Sequence, residues 1–219
     1  MNLWVKICGN TSLADALLAA DAGADAVGFV FAPSPRRVTV EQVAEITLRL
    51  PSALEKIGVF VDVSTQEIAA AIRTCSLTGV QLHSESEPET PSLLRAQFGS
   101  SLRILRVVHY GPDAANKAAA FAADPNTDAI LIDSRTATAV GGTGVAFDWT
   151  EARKTIFGNS VTKLIAAGGL NPDNVTEAIA TLRPWGVDVV SGVESAPGRK
   201  DPEKLRAFVE NARAATSFL

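Results

Sequence analysis

Short apolar runs bounded by turn residues recur along the whole chain. They are Leu3–Cys8, Asp25–Phe31, Lys56–Val61, Gly79–His83, Arg103–Val108, Ala129–Asp133, Lys163–Ala167 and Val187–Ser191. Several are rich in valine and isoleucine and apolar at successive positions, the pattern of a parallel strand covered on both faces. Between the runs the period changes to that of a helix. Leu13, Ala16, Leu17 and Ala20 fall at i, i+3, i+4, i+7, and so do Ile68, Ala71, Ile72 and Cys75. Val175, Ala178, Ile179 and Leu182 repeat the spacing, as do Leu205, Phe208, Val209 and Ala212. Each set makes one apolar stripe that can lie on a sheet. Weaker helical segments around 90–99, 114–123 and 147–158 complete the alternation, the second helical mainly by its alanines.

Helix starts are marked as well. Thr39-x-x-Gln42 and Ser64-x-x-Glu67 read as capping boxes, in which side chain and backbone satisfy each other's free N–H groups. Asn171-Pro172 and Asp201-Pro202 each predict a capping side chain followed by proline at the first helical position. Eight βα units in 219 residues predict an α/β protein of the (β/α)8 TIM-barrel type, a closed eight-stranded parallel sheet forming one domain over residues 1–219. An open doubly wound sheet is the rival architecture, but no Gly-x-Gly-x-x-Gly follows the first strand. No composition break or linker divides the chain.

Composition narrows the partners. Hydrophobic residues make up 47% of the chain, enough for a sizeable core. Twenty basic against 24 acidic residues leave a net charge of −4, which argues against nucleic acid as a partner. Two cysteines, Cys8 and Cys75, are too few for a disulfide framework and lack partners at zinc-ligand spacing. The first residues show no basic segment followed by an apolar stretch. Runs such as Ala26 to Ala32 are too short to span a membrane. The expected setting is cytoplasmic, with no membrane partner.

In a barrel of this type the chemistry sits at the C-terminal strand ends and the loops beyond them. The first strand ends in Cys8-Gly9, the second leads to Ser34-Pro35-Arg36-Arg37, and the fourth ends Gln81-Leu82-His83. The sixth ends in Asp133 and is followed by Gly141-Gly142-Thr143-Gly144. The seventh ends Ala167-Gly168-Gly169-Leu170 and the eighth Ser191-Gly192-Val193-Glu194. Glycines let backbone approach a ligand closely, and N–H groups at a following helix start form an anion site. Loops seven and eight commonly hold phosphate in these barrels, so Gly168, Gly169, Ser191 and Gly192 are the phosphate-binding candidates. Glycines also simply end strands and turn corners.

Taken together, six segments resemble the signature of phosphoribosylanthranilate isomerases. They are Lys6-Ile7-Cys8-Gly9; Gly28-Phe29-Val30-Phe31 with Ser34-Pro35-Arg36; Val80-Gln81-Leu82-His83; Gly141-Gly142-Thr143-Gly144 with Phe147-Asp148-Trp149; Ala167-Gly168-Gly169-Leu170-Asn171-Pro172 with Asn174-Val175; and Gly186-Val187-Asp188-Val189 with Ser191-Gly192-Val193-Glu194. They run in family order over nearly the whole chain. Three positions depart from the family pattern: the stretch from Phe31 to Arg36 is one residue shorter, Ser84 stands where glycine is usual, and Val145 replaces a lysine.

The resemblance implies a ribulose-phosphate-binding barrel that catalyses an Amadori rearrangement in tryptophan biosynthesis, with a small phosphorylated aminosugar as substrate and no cofactor or metal. It implies Cys8 as base and Asp133 as acid. Only a thiolate accepts a proton, so a lowered Cys8 pKa is expected, set by glycine-loop N–H groups or a helix N-terminus; otherwise a free cysteine is a small buried hydrophobe. Cys75, on the third helical stripe, is assigned to the core. Asp133 ends an apolar strand, where a partly desolvated carboxyl suits an acid, or else caps a loop. Arg36 would grip the anthranilate carboxylate with its two-pronged guanidinium, or else is a solvated loop charge. Arg37 is read as surface. His83 lines the site or is a hydrogen-bonded structural histidine. Asp188 matches a family position facing the barrel interior near the sugar, and His109 is given no role. The rivals are another sugar-phosphate isomerase on the same barrel and a non-catalytic phosphate-ligand-binding barrel. The histidine-pathway Amadori isomerase would carry aspartate where Cys8 stands; a silent barrel would have lost Cys8 or Asp133. Whether the protein is a monomer or a homodimer is left open.

Overall fold

The computed structural model describes residues 3–83, 87–134, 148–158 and 162–215. Among them, eight parallel strands close into a barrel in sequence order: β1 (Trp4–Ile7), β2 (Ala26–Val30), β3 (Glu55–Phe60), β4 (Gly79–Leu82), β5 (Arg103–His109), β6 (Ala129–Asp133), β7 (Leu164–Ala167) and β8 (Gly186–Val189). The seam is the pairing of β1 with β8, in which Lys6 lies directly opposite Asp188. Seven helices fill the connections: α1 (Leu13–Asp21), α2 (Val40–Thr47), α3 (Thr65–Thr74), α4 (Thr90–Phe98), α5 (Ala114–Ala122), α6 (Trp149–Ala152, extended by a π-turn over Arg153–Phe157) and α7 (Val175–Leu182). After β8 the chain makes a 3-10 turn over Ser191–Val193. A small antiparallel pair, β9 (Glu194–Ala196) and β10 (Arg199–Lys200), comes next, followed by α8 (Pro202–Ala215). No helix among the described residues is long and apolar enough to cross a membrane.

Strand side chains alternate between two faces, and here the faces bury into two separate cores. Val5, Ile7, Val27, Phe29, Leu82, Ile130, Ile132, Val187 and Val189 join the helix stripes in the outer core. Trp4, Ala26, Ile57, Leu105, Val107, Ala129, Leu131, Ile165 and Ala167 form an inner core built from strands alone. Counting on by twos, the inner set runs from Trp4 to Lys6 and Cys8, from Leu131 to Asp133, from Val107 to His109, and from Gly186 to Asp188. The barrel thus aims its polar residues along its own axis toward the C-terminal mouth.

The stripes of α3, α7 and α8 are buried as their spacing predicts, each large apolar side chain contributing roughly 1.5–3 kcal/mol. In α1 the stripe is turned: Ala16 and Ala19 are fully buried, while Leu13 and Leu17 pack at the flank. Both predicted capping boxes form, Thr39 with Gln42 and Ser64 with Glu67. Asp201 accepts from the N–H groups of Glu203 and Lys204 at the start of α8, as the Asp-Pro pair predicts. The Asn171-Pro172 expectation is corrected. Asn171 Oδ1 accepts from Asp173 and Asn174 in a turn, and α7 starts only at Val175. The asparagine pair prefers to close its own turn, because Asn174 Oδ1 in return accepts from the Asn171 N–H.

The inner wall is tight beside the mouth. A β-carbon at Gly28 would lie 2.5 Å from Cys8 Sγ and 3.0 Å from Lys6 Cε. Gly28→Ala is expected to lower stability by about 1–3 kcal/mol, read as a fall in the denaturant midpoint. Gly111 faces open space, and Gly111→Ala should stay within about 0.5 kcal/mol of the parent. Equal midpoints for the two variants would contradict a filled interior.

Candidate active site

Cys8 follows β1 and is 3% exposed; Asp133 ends β6 at the same exposure. Both are at the C-terminal ends of strands and belong to the inward-pointing sets. β1 and β6 are separated around the wall by β7 and β8, so the two groups approach the mouth from well-separated parts of the barrel. Beneath Cys8 lies a polar cluster that the motifs did not assign. The fully buried Lys6 ammonium donates to Asp188 Oδ1 at 2.7 Å and to Gln81 Oε1 at 2.9 Å. Burial alone would depress that lysine, but the charges of Asp188 and Cys8 outweigh it and hold its pKa above the ordinary lysine value. Asp188 therefore has one oxygen committed to Lys6.

The expectation of a lowered Cys8 pKa is corrected. Burial pushes the thiol above its ordinary value, and the cations Lys6 and Lys200 pull it only part of the way back. The polarising groups are two buried lysines, in place of the glycine-loop N–H groups or helix N-terminus expected from the sequence. Cys75 behaves as assigned: it is fully buried behind α3, hydrogen-bonds the Val40 carbonyl, and is pushed up to about 11 by burial.

Arg36 is half-buried, and its fork is occupied within the chain. Nε donates to Glu194 Oε1 at 2.8 Å and Nη2 to Oε2 at 2.6 Å. Its Cδ would come 2.8 Å from a β-carbon at Gly9, which turns the chain after Cys8 with φ +74°. The buried Lys200 of β10 completes a latch, donating to the Cys8 carbonyl at 2.6 Å, the Val190 carbonyl at 3.2 Å and Glu194 Oε1 at 3.3 Å. The β9–β10 pair thus ties together the loops after β1, β2 and β8. Arg37 is exposed, as read.

The glycine-rich ends also meet. Gly168 and Gly169 both adopt positive φ, +82° and +67°. A β-carbon at Gly168 would collide with Ser134 and lie 2.5 Å from Asp133 Oδ1, so only glycine lets loop seven run against the carboxyl. A β-carbon at Gly192 would strike the Leu170 carbonyl, which places the 3-10 turn beginning at Ser191 directly against loop seven. Asn174 Nδ2 fixes the Gly169 carbonyl at 2.9 Å. His83, beyond β4, and His109, at the end of β5, are the chain's two histidines, and their rings lie 5.6 Å apart. His109, given no role from the sequence, therefore shares the rim with His83. Gly141-Gly142-Thr143-Gly144, Val145, Phe147 and Ser84 lie outside the described residues.

Lys6, Gln81, Glu194 and Lys200 carried no assignment in the sequence reading. Lys6 was signalled by its place, a charge two residues before Cys8 in an otherwise apolar strand. Lys200 had no local signal, because its contacts depend on a hairpin without strand-like periodicity.

Fold and site together define a (β/α)8 barrel with a thiol, a carboxyl and two glycine-rich loops converging on one mouth. The model of the N-(5′-phosphoribosyl)anthranilate isomerase family matches residues 5–211. Relatives of that name from Magnetococcus marinus and Geobacter sp. strain M21 are 44% and 42% identical, over 98% and 95% of this chain and 97% of each relative. The solved phosphoribosyl anthranilate isomerase from Thermotoga maritima superposes with a TM-score of 0.84 at 36% identity, covering 97% of this chain and 99% of that one. Another, solved in complex with reduced 1-(o-carboxyphenylamino)-1-deoxyribulose 5-phosphate, gives 0.81 at 34% identity and the same coverage. The chain belongs to the N-(5′-phosphoribosyl)anthranilate isomerase family.

The latch predicts an acid-range stability profile. Burial would raise the Glu194 carboxyl, but hydrogen bonds from Arg36 and the charge of Lys200 outweigh it and hold it below its usual value. A depressed carboxylate contributes stability that is full above the unfolded value near pH 4.3, and that stability is lost as pH falls through the folded value. The stability advantage of the wild type over Glu194→Gln should be constant near neutrality and shrink below about pH 4. An advantage unchanged through that range would contradict a charged latch.

Proposed function

We propose that this protein converts N-(5′-phosphoribosyl)anthranilate to 1-(2-carboxyphenylamino)-1-deoxyribulose 5-phosphate, the isomerase step of tryptophan biosynthesis, within one barrel domain spanning residues 1–219. The observation that carries the reading is the placement of a buried thiol and a buried carboxyl at the ends of separate strands around one mouth. Asp133, as acid, protonates the furanose oxygen as the ring opens to a Schiff base. Cys8, as thiolate, takes the C2 proton to give an enolamine, which tautomerises to the ketone. Carbon 1 is reduced and carbon 2 oxidised within one molecule, so the balance closes without an external electron donor.

The remaining contacts follow from the same mouth. Phosphate sits on Gly168, Gly169, Ser191 and Gly192, whose loops abut through Gly192 and Leu170. Asp188 and His83 face the sugar and the ring. Arg36 holds the anthranilate carboxylate with the guanidinium edge left by Glu194, or exchanges Glu194 for the substrate. The substrate is a small molecule; the cytoplasm is the proposed setting.

Changing Cys8 to Ala or Asp133 to Asn should each cut turnover at least roughly 10²-fold with the fold intact by circular dichroism. Inorganic phosphate should compete with substrate, and Gly169→Val should weaken that inhibition. Near-normal turnover in either of the first two variants would remove the acid–base assignment.

A further inference from the structure

Burying an ammonium and a carboxylate inside a barrel carries a large desolvation cost for each ion, and an apolar pair of similar volume commonly serves folding as well or better. The Lys6–Asp188 pair therefore calls for an explanation beyond stability. Its position supplies one. Lys6 precedes Cys8 by two residues on the same inward-facing row of β1. Cys8 Sγ and Lys6 Cε both crowd the space where a Gly28 β-carbon would be, at 2.5 and 3.0 Å. The lysine and the thiol also act on each other by charge, the cation favouring the thiolate. Gln81 and Asp188 take two of the three ammonium protons at 2.9 and 2.7 Å, so the charge is anchored beside Cys8 with one proton beyond those two bonds.

We propose that Lys6 is a positioning residue for the isomerisation: anchored by Asp188 and Gln81, its ammonium stabilises the Cys8 thiolate that forms inside the closed barrel. This rests on Cys8 being the base. Proton removal from carbon 2 converts the thiolate to the thiol, and Lys6 keeps its own proton throughout. An uncharged side chain at position 6 would remove the largest charge that opposes burial at the thiol and raise its pKa further.

The other charges facing Cys8 are assigned by element. Asp188 on β8 opposes the thiolate, Lys200 on β10 favours it, and Arg36 beyond β2 adds a weaker positive influence shared with Glu194. From β2, Gly28 lies against Cys8, and Asp133 ends β6, round the wall beyond β8 and β7. Lys6 is the largest of the charge influences on the thiol. Its removal and the removal of Asp188 should therefore act in opposite directions.

The test titrates Cys8 in the free protein by thiolate ultraviolet absorbance and by the rate of alkylation with iodoacetamide, in a Cys75→Ser background that leaves one reporting thiol. Lys6→Met should move the titration to higher pH by about one pH unit or more, and the acid limb of kcat/KM should move with it. Asp188→Asn should move the titration to lower pH. If Lys6→Met does not fold because Asp188 is stranded, Lys6→Met with Asp188→Asn removes both ions, and the titration should still rise. A titration unmoved in these variants, or moved in the same direction by the two single changes, overturns the proposal. So does an even loss of activity at every pH with the limb in place, the mark of a merely structural lysine. The titration needs no turnover. Loss of the base assignment through an active Cys8→Ala variant is therefore read separately from loss of the Lys6–Cys8 coupling.

Discussion

A barrel has to close, and in this chain the closing seam is where β1 meets β8, with Lys6 set opposite Asp188 and bonded to it at 2.7 Å. Beside the backbone ladder of the seam, two charges withdrawn from water add a bond between the first and last strands only while both are present. Removal of one partner of such a pair typically costs about 3–5 kcal/mol, because the other is left buried and alone. The seam therefore fixes the register of β1 against β8. That register determines where Cys8, two residues beyond Lys6, comes to rest. Gln81 on β4 is drawn in as a third partner from the far wall, so the polar centre spans the barrel's width.

Register has a second consequence. With a side-chain period of two, a slip of one residue would turn Cys8 outward toward the helices and bring Ile7 inward. The same parity aims Asp133, His109 and Asp188 at the axis, which is why side chains from strands far apart in sequence reach one mouth. Above them, the β9–β10 latch acts on backbone: Lys200 holds the Cys8 and Val190 carbonyls while Glu194 holds the Arg36 fork. The glycines of loops seven and eight let main chain press against Asp133 and Leu170 where any β-carbon would intrude. Rigid strands set the buried polar side chains, and glycines let the loops close in on them.

Much of this was legible in the sequence. The eight strands fall where the apolar runs lie, within a residue or two, because a strand packed on both faces must be apolar at nearly every position. Cys8, Asp133 and the glycine pairs stood out because reactive or small residues at the ends of apolar strands need a reason to be there. The start of α7 was misplaced because Asn171 and Asn174 can close a turn on each other, a choice that propensity does not decide. The protonation tendency of Cys8 was misread for a different reason. Its neighbours in space, Lys6 and Lys200, lie 2 and 192 residues away in the chain, and only burial shows that desolvation outweighs them. The occupied fork of Arg36 had no local signature either, since Glu194 approaches from 158 residues away.

The central claim is that one mouth holds the sugar phosphate between a thiol just beyond β1 and a carboxyl at the end of β6, with the phosphate on loops seven and eight. A crystal structure of this protein with reduced 1-(o-carboxyphenylamino)-1-deoxyribulose 5-phosphate tests it most directly. The account predicts phosphate oxygens on the backbone N–H groups of Gly169 and Gly192 and Cys8 Sγ in contact with carbon 2. It also predicts the Asp133 carboxyl within hydrogen-bond reach, about 3 Å, of the oxygen released from the ring. Phosphate bound away from these loops, or Cys8 and Asp133 both out of contact with the sugar, would contradict it.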